Sequence, residues 1–347
     1  MGYFVREADI HQEKDVLLNL LTANRDRKNY PYEKRYDWLY LNNPYGEAIA
    51  WIIEDDKNHT PVGFTAVYPR MMLVNNQEML VWNCGDFSID RRFRTLGIAL
   101  KLRKAAKNCV EKGEVPFLYA HPNDRMVHIH LKAGHQKIAL MKRYALLINI
   151  AKVLRDKPFG AGISKIINPV LKGGLRFKNR KLGEFEIQRA KDAIFDHRYR
   201  EICEELSKKY AIIGLRDETY LKWKFSDHPV FNYSVFNYYQ QNKLKGYIIY
   251  TIEGDTVYLI EIVATQEFQK ALLSTFIHTI LTEYPEVYSV STIQQEFNPV
   301  IPTLHEIGFR FRDDATSSVI AYTANPQLAD FVFDGKQWFM NVGDRDA

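Results

Sequence analysis

The sequence predicts an α+β fold built from two similar halves, each a mixed, mainly antiparallel sheet flanked by helices. Three observations support this prediction. The chain has 347 residues, which is long for one domain and suits two. A strand, a basic turn and a helix follow one another in the first half, and several sequence markers return in the second half. The composition, 46% hydrophobic and 13% aromatic, is sufficient to fill two cores.

The most informative unit is the strand that leads into the basic turn and then into the helix. Residues 79–89 read as the strand, residues 91–95 contain three arginines, and helix formers with apolar spacing follow from Leu96. A helix that begins there directs unpaired backbone N–H groups and the positive end of its dipole at an anion. Gly97 has no Cβ, so a phosphate can approach its backbone closely. The unit therefore predicts an anion site at the start of this helix.

The hexapeptide from Arg94 to Ala99 follows the pattern Arg/Gln-x-x-Gly-x-Gly/Ala. It resembles the pyrophosphate-binding turn of the GNAT acyltransferase superfamily, which binds acyl-coenzyme A. A P-loop does not fit, because no Gly-Lys-Ser/Thr follows, and a dinucleotide fingerprint lacks its first two glycines. The resemblance implies acetyl-CoA, or another acyl-CoA, as co-substrate, held by the strand, the turn and a later loop. The implied coenzyme-binding residues are Phe87, Ser88, Ile89, Arg94, Thr95, Leu96, Gly97, Ile98, Ala99 and Asn123.

A second strand and helix follow. Residues 115–120 read as a buried strand, and residues 124–133 as a helix that ends at Gly134. In GNAT enzymes the equivalent strand diverges from the strand before the turn, and the pantetheine arm enters the gap. Asn123 matches an asparagine that often follows there. The family's frequent general-acid tyrosine lies four residues before the glycine, where this chain has His130. Histidine can serve as an acid near neutral pH, so His130 is a candidate acid, with a packing or surface role as the alternative.

Acyl transfer to an amine needs an oxyanion site and a path for the proton of the amine. In the GNAT superfamily the strand before the turn supplies the oxyanion donors from its backbone, which corresponds to residues 87–89. A general base often lies a few residues earlier, and Asp86 is the nearest carboxylate. A turn cap or a ligand for the acceptor are the alternative roles of Asp86. No metal site is predicted, because the histidines near the turn have no Cys or carboxylate at ligand spacing.

An internal repeat supports the two-half organisation. The pattern Trp-x-aromatic-x-x-x-Pro occurs from Trp38 and again from Trp223, and Gly308 resembles a second copy of Gly134, all at offsets of roughly 180 residues. The second copy has no glycine-containing turn after its strand at residues 257–263. We therefore expect a degenerate second half that shapes the acceptor cleft or a dimer surface.

The predicted division places a coenzyme-binding domain at residues 1–150, a basic amphipathic linker at 151–205 and the degenerate domain at 206–347. Within the middle region, residues 148–182 mix apolar and basic side chains. This pattern favours a linker whose apolar face packs on the domains, with at most peripheral contact with an anionic membrane.

Tandem chains with the repeated tryptophan element resemble acyltransferases of bacterial surface-polysaccharide pathways. The resemblance implies an N-acetyltransferase whose acceptor is a small amine, namely an amino sugar that is often linked to a nucleotide. Alternatives are an aminoglycoside or small-amine acetyltransferase and a non-catalytic acyl-CoA-binding regulatory module. A tRNA-dependent aminoacyl transferase is a further alternative, which the intact turn argues against.

Composition excludes several other classes. The formal net charge of +5 is modest and no recognition motif accompanies it, so no nucleic-acid partner is expected. Three widely separated cysteines argue against a disulfide framework and for a cytoplasmic protein with reduced thiols. No signal-peptide pattern begins the chain, and no apolar run reaches the roughly 18 residues of a membrane span. A homodimer stays open, because a degenerate half could expose strand edges.

Overall fold

A computed structural model describes residues 2–25, 29–154, 157 and 159–345. Within these residues a 14-stranded sheet carries helices on its faces. The strands are β1 (Tyr3–Glu7), β2 (Ile49–Asp55), β3 (Pro61–Val74), β4 (Gln77–Ile89), β5 (Phe117–Ala120), β6 (Gln136–Leu147), β7 (Glu184–Arg189), β8 (Ile212–Gly214), β9 (Ser234–Gln240), β10 (Lys243–Glu253), β11 (Thr256–Ala264), β12 (Ser289–Gln295), β13 (Arg310–Thr323) and β14 (Trp338–Phe339).

The α-helices are α1 (Lys14–Thr22), α2 (Tyr32–Tyr36), α3 (Leu96–Glu111), α4 (Asp124–Lys132), α5 (Gly160–Lys178), α6 (His197–Ser207), α7 (Glu218–Leu221), α8 (Gln266–Glu283), α9 (Val300–Ile307) and α10 (Pro326–Val332). The predicted α+β class, with a mixed and mainly antiparallel sheet flanked by helices, is confirmed. None of the helices in the described ranges combines the length and the apolar character that a bilayer crossing requires.

The strand order shows an exchange between the two halves. The main path runs β1-β2-β3-β4-β5-β13-β6-β12-β11-β10-β9-β7. Strand β13, from the C-terminal part of the chain, lies between β5 and β6 and is antiparallel to both. Strand β6, from the N-terminal part, pairs with β12. The strands β1 to β5 therefore continue into β13, which comes from the C-terminal part of the chain. The strands β7 and β9 to β12 continue into β6, which comes from the N-terminal part.

The helices cover both faces because successive strand residues point to opposite sides. In the first half, Ile52 and Phe64 pack with α1 and α2, while Ile53 and Leu118 pack with α3. In the second half, α6 covers one face and α8 and α9 cover the other. This arrangement places α1 and α3 on opposite sides of β4.

The tryptophans of the repeat contact each other directly. Residues 37–41 and 222–226 each form a π-helical turn after a short helix. The rings of Trp38 and Trp223 stack with centroids 4.5 Å apart and an interplanar angle of 15°. Each indole N–H donates to the other residue's carbonyl, at 2.9 and 3.2 Å. The two tryptophans thus make the same contacts with each other in both directions.

The range 151–205, which the sequence assigns to a linker, contains the regular elements α5 and β7 and most of α6. Strand β7 pairs with β9 as β1 pairs with β2. The edge strand of the second half thus begins at Glu184. The domain limits themselves remain a prediction.

Candidate active site

The gap between β4 and β5 opens at a bulge. The two strands are paired in parallel only over residues 82–84 and 118–120. Just beyond, Gly85 and Asp86 of β4 stand opposite the single residue Ala66 of β3. A bulge of this kind bends and twists the strand that carries the extra residue. The end of β4, residues 85–89, therefore diverges from β5.

The turn after β4 leads to the start of α3. Thr95 caps this helix, with its hydroxyl oxygen accepting from the N–H of Ile98 at 3.4 Å. The N–H groups of Leu96 and Gly97 precede the first intrahelical hydrogen bond, so the helix offers them no acceptor. A Cβ built on Gly97 would have no atom within 4 Å. Packing does not require glycine at this position, and the space above it is open.

A cavity of about 670 Å³ adjoins this turn and is called the turn cavity below. Among the residues that the structure describes, its walls include four arginines and no acidic side chain. The lining residues are Asn24, Arg25, Phe87, Ser88, Ile89, Arg91, Arg94, Thr95, Ala99, Asn123, Arg125, Met126, His128 and Ile129. Seven of the ten residues that the GNAT resemblance assigns to the coenzyme are among them, while Leu96, Gly97 and Ile98 form the first turn of the adjacent helix. The cavity thus combines a helix start with positive charge.

A hydrogen-bond network joins α1, β4 and the turn. Arg94 donates to Asn24 Oδ1 at 2.6 Å and to the carbonyl of Ile89 at 3.1 Å. Asn24 in turn donates to Ser88 Oγ at 2.8 Å, and that hydroxyl donates to the carbonyl of Leu20 at 2.6 Å. Asn123 caps α4 by accepting from the N–H of Met126 at 3.2 Å. These contacts hold the walls of the turn cavity in place.

A second cavity, of about 720 Å³, is called the central cavity. It adjoins the turn cavity, since Asn24 and Arg25 line both. Both halves and the C-terminal segment (residues 341–345) supply its walls. Within the described residues these walls carry four cationic side chains, one carboxylate and four aromatic rings. The lining residues are Asn24, Arg25, Tyr30, Tyr32, Arg35, Asp86, Lys224, Phe231, Tyr233, Ile260, Val342, Gly343 and Arg345.

Asp86 lies in the wall of the central cavity and is almost fully buried. Its carboxylate accepts from Arg35 at 2.7 Å, Arg25 at 3.2 Å, Tyr68 at 2.9 Å and Tyr40 at 3.1 Å. Burial by itself raises the pKa of Asp86, but the two arginines outweigh burial and hold the pKa below its usual value. A carboxylate with four donors is a weak base, so this geometry favours an anchoring role.

His130 lies away from the turn cavity. Its ring is buried, with Nδ1 2.7 Å from Nδ1 of His135. Burial, with a smaller contribution from Arg103, holds the pKa of His130 well below its ordinary value, so the ring is neutral. The histidine of the same helix that lines the turn cavity is His128, which is exposed.

The corresponding gap in the second half is filled. Strands β11 and β12 are paired in parallel up to Leu259 and Thr292. Beyond that point, Asn341 of the C-terminal segment accepts from the N–H of Ile262 at 3.3 Å and bridges Gln294. The C-terminal segment therefore occupies the space that is a cavity in the first half.

A buried ionic cluster fixes this segment. Arg216 donates to Glu261 at 3.0 Å and to Asp344 at 2.7 Å, and all three side chains are buried. Burial raises the pKa of Glu261 to about 7, with Asp344 adding to the effect and Arg216 opposing it. Glu261 follows the bulge of β11 at Ile260, so it is the counterpart of Asp86 in the first half.

Several cavity residues have no strong signal in the sequence. Asn24, Arg25 and Arg35 belong to the region of α1 and α2, and Arg345 lies near the C-terminus. Only Lys224 has a neighbour that marks it, because it follows the repeated Trp223. In the described part of the chain, no group of three or more His, Cys, Asp and Glu side chains is arranged to hold a metal ion.

Comparisons with known proteins identify the fold. No family model and no curated protein matches the sequence. A probable N-acyltransferase of unknown function from Enterococcus faecalis aligns with a TM-score of 0.63 and 14% identity, over 95% of this chain and 74% of that chain. A GCN5-related N-acetyltransferase from Anabaena variabilis aligns with a TM-score of 0.66 and 12% identity, over 93% and 73%.

Saccharomyces cerevisiae N-myristoyltransferase with bound myristoyl-CoA aligns over 99% of this chain and 85% of that chain, with a TM-score of 0.56 and 13% identity. At such low identity these similarities describe the fold. The chain has the fold of the GCN5-related N-acetyltransferases, as the turn after β4 predicts.

Proposed function

We propose that this protein is an acyl-CoA-dependent N-acyltransferase, with acyl-CoA in the turn cavity and an amine acceptor in the central cavity. The observation that carries the proposal is the open gap between β4 and β5, which adjoins the start of α3 and four arginines. A helix start surrounded by arginines fits the pyrophosphate of the coenzyme. The bound myristoyl-CoA of the yeast protein with this fold supports the same class of donor.

In the proposed complex, the backbone of residues 94–99 holds the pyrophosphate. The edge of β4 at residues 87–89 has no β5 neighbour, so its N–H groups on that side are available to the thioester oxygen. The neutral amine attacks the thioester carbon; the C–N bond forms, the nitrogen releases one proton to solvent in the open cavity, the C–S bond breaks, and the sulfur leaves as thiolate. A thiol has a pKa near 8.5, so the thiolate can leave without a strong acid.

The proposed proton carriers follow from position. His128 lines the turn cavity and can protonate the departing thiolate, whereas His130, packed on His135, positions α4. Asp86 is proposed to anchor Arg25 and Arg35 at the junction of the two cavities, rather than to accept the proton of the amine directly.

For the acceptor we propose an amino sugar linked to a nucleotide. Four cationic side chains of the central cavity, Arg25, Arg35, Lys224 and Arg345, are suited to phosphate groups. Four aromatic rings in the same walls, those of Tyr30, Tyr32, Phe231 and Tyr233, offer flat apolar surface to a sugar or a base.

A non-catalytic acyl-CoA sensor is the second candidate. Two observations favour the sensor: the carboxylate of Asp86 accepts hydrogen bonds from four side chains, and the ring of His130 is buried. Both residues are therefore poor proton carriers in this arrangement. The two candidates share the coenzyme site and differ in turnover.

The test uses two variants of one residue. Because the space above Gly97 is open, Gly97→Ala should fold and bind acyl-CoA, whereas Gly97→Glu places a carboxylate where the phosphates bind. We expect acetyl-CoA to raise the melting temperature of the wild type and of Gly97→Ala, but not of Gly97→Glu. Free coenzyme A and a longer acyl-CoA, titrated in parallel, report the acyl preference.

Turnover then separates the candidates. Release of free thiol from acetyl-CoA is followed with nucleotide-linked amino sugars, free amino sugars, aminoglycosides and simple amines. Release that depends on an amine supports the enzyme; binding without such release supports the sensor. Absence of any stabilisation of the wild type by acyl-CoA contradicts both.

A further inference from the structure

Helix α5 presents large apolar side chains to solvent. Ile166, Val170 and Phe177 are 73%, 73% and 76% exposed, and Ile163 and Ile167 are 40% and 41% exposed. At 3.6 residues per turn these five positions fall within an arc of about 100° on one side of the helix. An exposed apolar surface of this kind is uncommon on a protein that meets only water.

The opposite side of α5 is fixed to the protein. Leu175 belongs to the core that also contains residues of α8. Lys172 donates to the carbonyl of Pro285 at 2.8 Å and Arg176 to that of Leu281 at 2.9 Å, near the end of α8. Asn179 donates to the carbonyl of Ile307 at 3.3 Å. The exposed stripe is therefore a second apolar side on a helix whose inner side is already packed, which differs from the linker with a single packed face that the sequence favours.

The charged residues of α5 and of the residues that follow it have one sign. Residues 157–182 contain seven Lys and Arg residues and no Asp or Glu. By the same helical spacing, Lys178 lies about 20° beyond one edge of the stripe, Lys165 lies about 100° beyond the other edge, and Lys172 lies on the packed side. An exposed apolar stripe on a helix whose charged residues are all cations is typical of helices that lie in the interface of anionic membranes.

We infer that the exposed side of α5 docks on an anionic phospholipid surface. The apolar side chains enter the boundary between headgroups and acyl chains, and the long, exposed side chains of Lys165 and Lys178 reach the anionic headgroups. A second copy of the chain fits this side poorly. A symmetric contact would bring the exposed Lys165 and Lys178 of each protomer towards their copies, and like charges repel.

The experiment measures sedimentation with vesicles of phosphatidylcholine, with and without phosphatidylglycerol. We expect binding to the vesicles that contain phosphatidylglycerol, weaker binding as salt rises, and little binding to phosphatidylcholine alone. The double variant Ile166→Glu/Val170→Glu should reduce binding at least about tenfold, because it removes apolar burial and adds negative charge. The matched control is Ile194→Glu, an equally exposed residue (79%) outside the stripe, which should bind as the wild type does.

Three outcomes would overturn the inference: no binding of the wild type to either vesicle, equal binding to both, or unchanged binding of the double variant. A wild-type dimer that the double variant dissociates in sedimentation velocity would assign the stripe to a second copy instead. The double variant should unfold at the same temperature as the wild type, since both substituted side chains are exposed. The vesicle-binding measurement needs no coenzyme, so the inference stands or fails separately from the proposed function.

Discussion

The same divergence of two parallel strands occurs in both halves of this protein, with opposite results. Between β4 and β5 it opens into the turn cavity, beside a helix start and four arginines. Between β11 and β12 it receives Asn341 and the rest of the C-terminal segment. The strand arrangement alone therefore does not determine whether the gap is open to a ligand. The gap is filled where another part of the chain satisfies the backbone groups that the strands expose there.

The carboxylates that follow the two bulges show the same contrast. Asp86 lines a cavity and is held by two arginines and two tyrosine hydroxyls. Glu261 is fully buried and, through Arg216, is tied to Asp344 of the C-terminal segment. Asp86 is thus part of a candidate site, whereas Glu261 is part of a buried ionic cluster that holds the C-terminal segment in place.

The largest expected effect on stability comes from disrupting this buried ionic cluster. Arg216→Met leaves Glu261 and Asp344 close together without their shared cation. Removing one partner of a buried ionic cluster costs about 3–5 kcal/mol, and we expect a loss of this size in the free energy of unfolding measured with urea. The control is Arg200→Met, which breaks exposed pairs with Glu78 and Glu204 and should cost about 1 kcal/mol or less. Equal losses for the two variants would show that the buried cluster stabilises the fold no more than exposed ion pairs do.

The pH dependence of stability tests Glu261 with an intermediate effect. Its folded pKa of about 7 lies above the ordinary 4.5, so the folded state binds a proton that the unfolded state has released between these values. The contribution of Glu261 is fully present below about pH 4.5 and is lost as the pH rises through about 7. Relative to Glu261→Gln, the wild type should lose roughly 1–3 kcal/mol over this range.

The quantity to measure is the difference in the free energy of unfolding between the wild type and Glu261→Gln at each pH. Buried histidines such as His121, whose pKa burial lowers to about 3, titrate with the opposite sign over part of the same range. These contributions are common to the wild type and Glu261→Gln, and they cancel in the difference. Two parallel stability curves would show that Glu261 stays ionised in the folded protein.

The smallest expected effect compares two glycines at equivalent helix ends. Gly134 after α4 and Gly308 after α9 have φ of +96° and +117°. Alanine at either position is strained by about 1–2 kcal/mol. At Gly308 the new Cβ would also lie 3.0 Å from Leu146, whereas at Gly134 it would meet only the flexible end of Lys107, at 3.3 Å. We therefore expect Gly308→Ala to lower the thermal midpoint more than Gly134→Ala, and the reverse order would contradict this packing argument.

Much of the fold follows from local sequence signals. Helix α3 begins at Leu96, and α4 ends just before Gly134, as capping and apolar spacing predict. The exchange of β6 and β13 has no local signal, because it joins segments far apart in the chain. Helix α5 is difficult to predict from the sequence, because it contains Pro169, Gly173 and Gly174, which have low helix propensity.

The candidate site was predictable where it depends on backbone geometry. The turn from Arg94 to Ala99 lies beside a cavity, and Asn123 is among the residues that line it; their binding of a coenzyme stays a prediction. Side-chain roles were less accessible, since burial decides them: His130 and His128 are two residues apart, yet only His128 lines the cavity. The central cavity was beyond sequence reasoning, because distant segments build it.

The exchanged strands also constrain how the protein is made. During synthesis, β5 emerges long before β13, the strand that later pairs along its free edge. Until residues 310–323 leave the ribosome, the N-terminal part of the chain carries an unpaired strand edge beside its newly formed core, a surface on which other nascent chains can add. For the same reason, a chain cut between β6 and β7 would give two fragments that each lack a central neighbour, and that recover it only by assembling with one another.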